Sequence, residues 1–159
     1  MKKKTTLDII SQSDKTSLYS ISFEIDGTTE FEKFVATFER NATYNIDYQR
    51  IIAALQAILR HGALERFFRP EGKSKDNVAA IPIEGGKLRL YCLRISEQIV
   101  ILGNGGIKDT RTYEENPKLY GYVMDLQKFE MILKDKIEKG FVSIEEKDLT
   151  GFDDITFEI

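Results

Sequence analysis

Residues 87–110 read KLRLYCLRISEQIVILGNGGIKDT, and this stretch decides the fold that the sequence predicts. Its first part, residues 87–95, alternates polar and apolar side chains, which is typical of a strand with one covered face. Its second part, residues 98–102, is apolar at almost every position and predicts a central strand covered on both faces. Because only Ser96 and Glu97 separate the two parts, we expect them to pair in an antiparallel sheet.

The sequence before this stretch predicts one strand and two helices. Residues 17–25 alternate between apolar and polar side chains and predict a half-buried strand. Thr28 or Thr29 can cap the first helix, and Glu32 stands three residues after Thr29, which is the spacing of a capping box. The second helix begins at Asp47, and its apolar side chains recur with the period of a helix that is buried on one face.

Two further elements complete an α+β domain. A short strand is predicted over residues 78–83, and a long helix over residues 117–139 ends at the C-cap Gly140. The predicted order is therefore β-α-α-β-β-β-α, followed by a tail. Closely spaced strands favour an antiparallel sheet with the helices packed on one face.

Three segments are expected along the chain. Residues 1–16 are polar and predict a flexible N-terminal arm. Residues 17–140 hold the α+β domain. Residues 141–159 form an acidic C-terminal extension, whose weak alternation can add one more strand.

The composition excludes several classes of protein. The chain has 159 residues, enough for one domain with its own hydrophobic core, and a net charge of −3. One cysteine and one histidine cannot supply a disulfide framework or the usual zinc sites, and we expect no metal and no cofactor. The sequence has no run of about 18 apolar residues, so we expect no membrane partner and a cytoplasmic location.

Charge is distributed unevenly along this acidic chain. Residues 60–111 carry ten Lys and Arg side chains against six Asp and Glu, whereas residues 141–159 carry six acids against one lysine. A basic middle region is compatible with an anion-binding surface and equally with ordinary solvated charge. The acidic extension could also fold over the basic side chains and cover them.

The strand over residues 87–95 places three polar side chains on one face. By alternation, Lys87, Arg89 and Tyr91 point to the same side, where two cations beside a phenol could grip a phosphate backbone and stack a base. A plain solvent-facing strand surface has the same composition. Arg94 has the opposite parity and would point inward unless a bulge follows Cys92.

The glycine-rich run over residues 103–106 is the most unusual local sequence. Adjacent glycines let the backbone approach a ligand closely or adopt positive φ, and they equally suit a turn that ends a strand. Lys108 and Arg111 follow the run and could flank a phosphate.

The order of elements and residues 87–110 together resemble the RelE/HigB-like superfamily of toxin–antitoxin toxins, in particular its phage-derived HigB-like branch. The shared pattern is a strand with Arg and Tyr, an apolar strand, a short loop with lysine and threonine, and a helix. The likeness covers about residues 17–139. It implies a RelE/ParE-like fold.

The resemblance also implies a function. Such a bacterial toxin cleaves mRNA, usually on the ribosome, uses the ribose 2′-hydroxyl as nucleophile without a metal, and is neutralised by an antitoxin protein. The catalytic positions that the resemblance implies are Arg89, Tyr91, Lys108 and Arg111. The RNA-binding positions that it implies are Lys87, Arg94, Arg69 and Lys73.

A second interpretation keeps the RelE-like scaffold without the chemistry. The net acidity of the chain, and the position of His61 at the end of a predicted helix, favour a catalytically inactive module that binds a protein partner. The sequence leaves a homodimer open. Cys92 alternates with leucines and is predicted to be a small buried hydrophobe.

Overall fold

The computed structural model describes residues 3–23, 27–71, 76–152 and 156–159. These residues form three α-helices, which are α1 (Glu30–Phe38), α2 (Asn45–His61) and α3 (Pro117–Glu138). They also form nine strands: β1 (Lys4–Gln12), β2 (Ser17–Phe23), β3 (Arg69–Pro70), β4 (Val78–Ala80), β5 (Leu88–Arg94), β6 (Ile99–Ile107), β7 (Ser143–Glu145), β8 (Asp148–Thr150) and β9 (Phe157–Glu158). None of the described helices is long and apolar enough to cross a membrane.

Seven of the strands form one mixed sheet, and the other two form a small hairpin. The order in the large sheet is β3-β4-β5-β6-β2-β1-β9, and β7 pairs with β8. Strands β2 and β6 are parallel, with Ser17 beside Ile99 and Ser20 beside Leu102, whereas the other pairs are antiparallel. The predicted antiparallel sheet is therefore wrong, because two strands that are distant in sequence meet side by side at its centre.

Helices cover both faces of the sheet, so the prediction of helices on one face is also wrong. Helices α1 and α2 pack over a core that includes Phe34 and Leu90, while α3 packs over a core that includes Ile101 and Phe129. The central strands bury both of their faces to serve the two cores. Strand β2 is accordingly buried along almost its whole length, including Ser20, rather than half-buried as the alternation predicts.

Strand β1 lies where a flexible arm is predicted over residues 1–16. Residues Lys4–Gln12 pair antiparallel with β2, and Leu7 is buried in the core beneath α3. The predicted arm is wrong for these residues, because β1 forms a local hairpin with β2 in which Gln12 faces Ser17. The alternation of β1 is hard to read, since the polar Thr5 is buried while the apolar Ile9 is exposed.

The three helices are confirmed, but two of their predicted caps are wrong, since the N-cap of α2 is Tyr44 rather than Asp47 and the C-cap of α3 is Lys139 rather than Gly140. Thr29 and Glu32 form the predicted capping box at the start of α1. Helix α2 spans Asn45–His61, and Gly62 follows it as its C-cap. Helix α3 begins at Pro117 under an Asn116 cap, since this side chain accepts hydrogen bonds from two backbone N–H groups of the first turn.

The acidic extension folds back onto the domain. Val142, Leu149 and Phe157 are buried in the core beneath α3, and Phe157–Glu158 pairs with the start of β1. The described residues of the extension therefore lie beside β1 and β2. The proposed cover over Lys87 and Arg89 is wrong for them, since β5 is on the far side of β6. Asp153 and Asp154 lie outside the described residues.

The structure is an α+β protein, but its architecture is not the predicted one. The predicted order β-α-α-β-β-β-α lacks β1, the two-residue strands β3 and β9, and the β7–β8 hairpin. A RelE/ParE-like fold is not shown by this arrangement. Strands β3, β7, β8 and β9 escaped prediction because two or three residues are too few to show a hydrophobic period. Strand β1 escaped because the polar Thr5 is buried and the apolar Ile9 is exposed.

Candidate nucleic-acid interface

Three of the predicted cations lie together at one end of the β5–β6 pair. The backbone N–H of Lys108 donates to the carbonyl of Lys87 across 2.8 Å, which extends the register in which Leu88 faces Ile107. Cross-strand partners point to the same side of a sheet, and here that side is the one beneath α3. We call Lys87, Arg89 and Lys108 the basic end.

Neither lysine of the basic end forms an ion pair within the described part of the chain. Lys87 is exposed and Lys108 is half-buried. The carboxylate of Asp47, at the start of α2, accepts hydrogen bonds from the backbone N–H groups of Lys87 and Leu88, which fixes the end of β5 in place. Both ammonium groups therefore remain available to an anion.

Arg89 is partly engaged by its own strand. One terminal nitrogen of its guanidinium donates to the carbonyls of Gly86 and Leu88, at 2.7 and 3.0 Å. Arg89 is half-buried, opposite Gly106 of β6. These two hydrogen bonds hold the charge at the basic end and leave its other nitrogens for a ligand.

Tyr91 does not belong to the accessible site, contrary to the prediction. Its side chain is completely buried, and its hydroxyl has no hydrogen-bond partner among the described residues. Burial, with a smaller contribution from Glu71, raises the pKa of the phenol far above its ordinary value. Alternation did place Tyr91 on the same face as Arg89, but α3 and its preceding turn cover that face at this point.

Arg69 and Glu71 flank Tyr91 from the edge of the sheet. Both residues face the covered side beneath α3, because Arg69 pairs with Ala80, which pairs in turn with Tyr91. The Arg69 Nε lies 3.9 Å from a buried carboxylate oxygen of Glu71. Arg69 is itself exposed, so the predicted RNA-binding residue is present at the surface with its charge partly balanced by Glu71.

Two tyrosines that the sequence did not single out form an aromatic group beside Tyr91. Tyr113 belongs to a short 3₁₀ turn before α3, and its ring centroid is 6.5 Å from that of Tyr91. Tyr120 of α3 stacks on Tyr113 with an interplanar angle of 15° and is 41% exposed. Because one of the pair lies in a turn and the other in a helix, no periodic pattern connects them in the sequence.

The remaining predicted residues lie elsewhere. Arg111 is exposed in the loop before the 3₁₀ turn, where its backbone N–H donates to Glu115. Arg94 is at the opposite end of β5, half-buried on the α2 side, and its Nε donates to the carbonyl of Ala63 at 2.7 Å. Lys73 lies outside the described residues. The structure thus gathers Lys87, Arg89 and Lys108 and separates Arg94 from them.

The glycine-rich run is a strand, not a loop. Residues 103–106 continue β6 to Ile107, and Gly105 lies opposite Leu90 where the β5–β6 register is interrupted. A side chain at position 105 would place its Cβ 1.8 Å from the carbonyl oxygen of Arg89. The close approach allowed by glycine therefore serves strand pairing at this position.

The single histidine and the single cysteine are not part of this interface. His61 is exposed at the end of α2, as predicted. Cys92 is a buried free thiol, and its pKa is raised by burial, which confirms a small hydrophobe. Within the described ranges, no three His, Cys, Asp or Glu side chains come together in a way that could hold a metal ion.

Comparisons with known proteins place this chain in no family. No protein-family model matches the sequence, no curated protein matches it, and no solved structure matches it. The likeness to the RelE/HigB-like toxins therefore stays a prediction, and the functional argument rests on the geometry of the basic end.

Proposed function

We propose that this chain binds single-stranded RNA at the basic end and cleaves it without a metal, as a toxin-type endoribonuclease. The observation that supports the proposal is the placement of Lys87 opposite Lys108, beside Arg89, on one face of the sheet. Three cations at one sheet end form a local positive site in a protein whose net charge is −3.

Binding would combine charge with stacking. Lysine and arginine side chains neutralise phosphates, and exposed aromatic rings stack on unpaired bases. Tyr120 offers an exposed ring that stacks on Tyr113, and Tyr113 packs on the same side of the sheet as the basic end. This combination favours a single strand over a duplex, because bases in a duplex have no free face to stack.

Cleavage would use the ribose of the bound strand. The 2′-oxygen attacks the adjacent phosphorus and the bond from phosphorus to the 5′-oxygen breaks, which leaves a 2′,3′-cyclic phosphate and a 5′-hydroxyl. Arg89, Lys87 and Lys108 stabilise the negative charge that develops on the phosphate, and solvent water accepts the proton of the 2′-hydroxyl. Tyr91 is too deeply buried to donate a proton to the 5′-oxygen. Tyr113 is the available donor, since burial and nearby carboxylates raise its pKa and keep it protonated.

The test compares two double variants with the same change of charge. Lys87→Ala/Lys108→Ala removes the cross-strand pair, and Lys15→Ala/Lys128→Ala removes two exposed lysines elsewhere. By fluorescence anisotropy with a single-stranded RNA, we expect the first variant to bind about 10-fold more weakly, with a salt slope shallower by about 1.4. Cleavage in EDTA should produce cyclic-phosphate ends and should stop in the first variant alone.

Two results would overturn the proposal. Equal weakening by both double variants would show that RNA responds to overall charge rather than to the basic end. Cleavage that EDTA abolishes, or that persists in Lys87→Ala/Lys108→Ala, would rule out the proposed metal-independent nuclease at the basic end, even if RNA binding remained.

A protein-binding function is the second candidate, and one surface favours it. Met131 is 72% exposed on the outer face of α3, beside a groove of about 320 Å³ that is also lined by Met124, Lys128 and Lys134. The groove is also lined by Asp76 and by Glu130, which lies 3.7 Å from Lys134. Flexible methionines beside charges of both signs suit the apolar stripe of an amphipathic helix, such as an antitoxin segment would supply. Photocrosslinking from position 131 in cells should capture such a helix, and crosslinking from position 139 should not. Capture of the same segment from both positions would reject this surface.

A further inference from the structure

A crevice opens where the two parallel strands at the centre of the sheet separate. Strand β2 pairs with β6 as far as Ser20 and Leu102, and β6 then continues for five more residues without it. The helix that follows β2 packs on one face of the sheet, and the helix that follows β6 packs on the other. Such a divergence at the carboxyl ends of parallel strands is where α/β sheets commonly bind ligands.

The crevice has about 300 Å³ and walls of mixed character. Phe38 at the end of α1 and Leu119 in α3 give it apolar sides, while the backbone of Gly105 and Gly106 forms part of its floor. A Cβ at Gly106 would lie 3.2 Å from Leu119, so the missing side chain keeps the space open. The volume is at the lower end of the range for small-molecule sites and suits one planar ring system.

Three polar side chains of different kinds line the crevice without a partner of their own. The carboxylate of Asp109, the ammonium of Lys118 and the hydroxyl of Tyr122 make no hydrogen bond or ion pair within the described part of the chain. Burial and the nearby Glu30 raise the pKa of Tyr122, so its phenol stays protonated and can donate. One acceptor and two donors thus face the same space.

The start of α3 does not offer a phosphate site in this crevice. Asn116 accepts from the backbone N–H groups of Lys118 and Leu119, at 3.0 and 3.2 Å, so two amides that could bind an anion are already used. The pattern of free groups therefore suits a neutral ring with its own donors and acceptors better than an anion.

We propose that this crevice binds a guanine base of the RNA strand held at the basic end. Asp109 would accept from the adjacent N1–H and N2–H₂ groups of guanine, and Lys118 would donate to O6 or N7. Adenine presents an acceptor at N1 where Asp109 needs a donor. The proposal rests on the RNA-binding function above. The link is direct, because Asp109 follows Lys108 in the chain and the two sites share one loop.

The experiment measures binding of 5′-GMP, 5′-IMP and 5′-AMP to the full chain by calorimetry. These nucleotides share a phosphate and differ in the base edge, so phosphate binding alone gives equal affinities. We expect GMP to bind at least 10-fold more tightly than AMP, with IMP between them because it lacks the N2 amino group. Asp109→Asn should abolish the preference for GMP, while Glu114→Gln, which changes another exposed acid nearby, should leave it intact.

The outcomes separate this proposal from the RNA-binding function. Equal affinity for the three nucleotides, or no binding at millimolar concentration, overturns the guanine site and leaves RNA binding to be judged by the lysine variants. Selective GMP binding supports the site even if Lys87→Ala/Lys108→Ala leaves RNA affinity unchanged. A GMP preference that survives in Asp109→Asn also overturns the proposed recognition.

Discussion

The two halves of β6 follow one another in a single strand and serve different purposes. Residues 99–102 are apolar, lie between two strands and are buried on both faces. Residues 103–106 are glycines and one asparagine, pair with β5 alone and border the crevice. The first half stabilises the sheet through its side chains, whereas the second half works through the absence of side chains.

Burial does not show what each half of β6 contributes to the protein. Both halves are inaccessible to solvent along most of their length, so exposure does not distinguish them. The difference lies in how each half packs, since the first half fills the cores with its own side chains, whereas the glycines of the second half let Leu126, Leu119 and the backbone of Arg89 approach closely. Substitutions in the two halves should therefore destabilise the protein for different reasons.

The largest effect is expected for Gly105→Ala in the second half. The new Cβ would lie 1.8 Å from the Arg89 carbonyl oxygen, and a backbone atom cannot move aside as a flexible side chain can. We expect a loss of about 4 kcal/mol or more in the free energy of unfolding, measured by urea denaturation. Gly121→Ala is the matched control, since that position in α3 faces open space and should gain about 0.5–1 kcal/mol. Similar stabilities for the two variants would contradict the close approach.

Ile101→Ala tests the first half by removing side-chain volume. Ile101 is fully buried in the core beneath α3, so truncation leaves a cavity and costs about 3 kcal/mol. For a chain of this size the melting temperature should fall by about 6–12 °C. RNA binding at a temperature where the variant is folded should not change, because this residue reaches neither surface. A loss of RNA affinity in the folded variant would show that the two halves are not independent.

The smallest effect is expected for Tyr91→Phe, at the point where β5 faces the junction of the two halves. The hydroxyl is buried without a partner among the residues that the structure describes, so its removal should leave stability unchanged or raise it by about 1 kcal/mol. RNA cleavage should persist in this variant. A loss of cleavage would show that Tyr91 takes part in the reaction after all.

Tyr91→Phe should also change how the stability of the protein depends on pH. The folded state raises the pKa of Tyr91 above the value of about 10 in an unfolded chain, so the folded state holds this proton more tightly. The resulting stability is present below pH of about 10 and is lost progressively as the pH rises further. Denaturation curves between pH 8 and about 11.5 should therefore fall less steeply for Tyr91→Phe than for the natural chain. Other tyrosines with raised pKa values leave a residual slope.

Elements could be predicted from the sequence where the residues that determine them are close together in the chain. The capping box at Thr29, the apolar stripe of α2 and the start of the last helix at Pro117 are set by neighbouring residues, and all three are found. The parallel pairing of β2 with β6 brings Ser17 beside Ile99, and no local pattern encodes a contact between such distant segments. Strand β1 pairs locally with β2, but its buried Thr5 and exposed Ile9 hide the alternation.

The candidate site was predictable only in part, for the same reason. Alternation placed Lys87 and Arg89 on one face, and the neighbouring strand brings Lys108 to them. Alternation could not show that α3 would bury Tyr91, nor that Tyr113 would pack beside it and stack on Tyr120.

The sequence by itself determined the helices, the β5–β6 pair and the uneven distribution of charge, because short-range periodicity and composition carry that information. Only the tertiary structure decided which strands lie side by side, which polar residues remain at the surface, and that a crevice opens beyond Leu102. These features arise from contacts between distant segments, and their free energy depends on packing that no single segment contains.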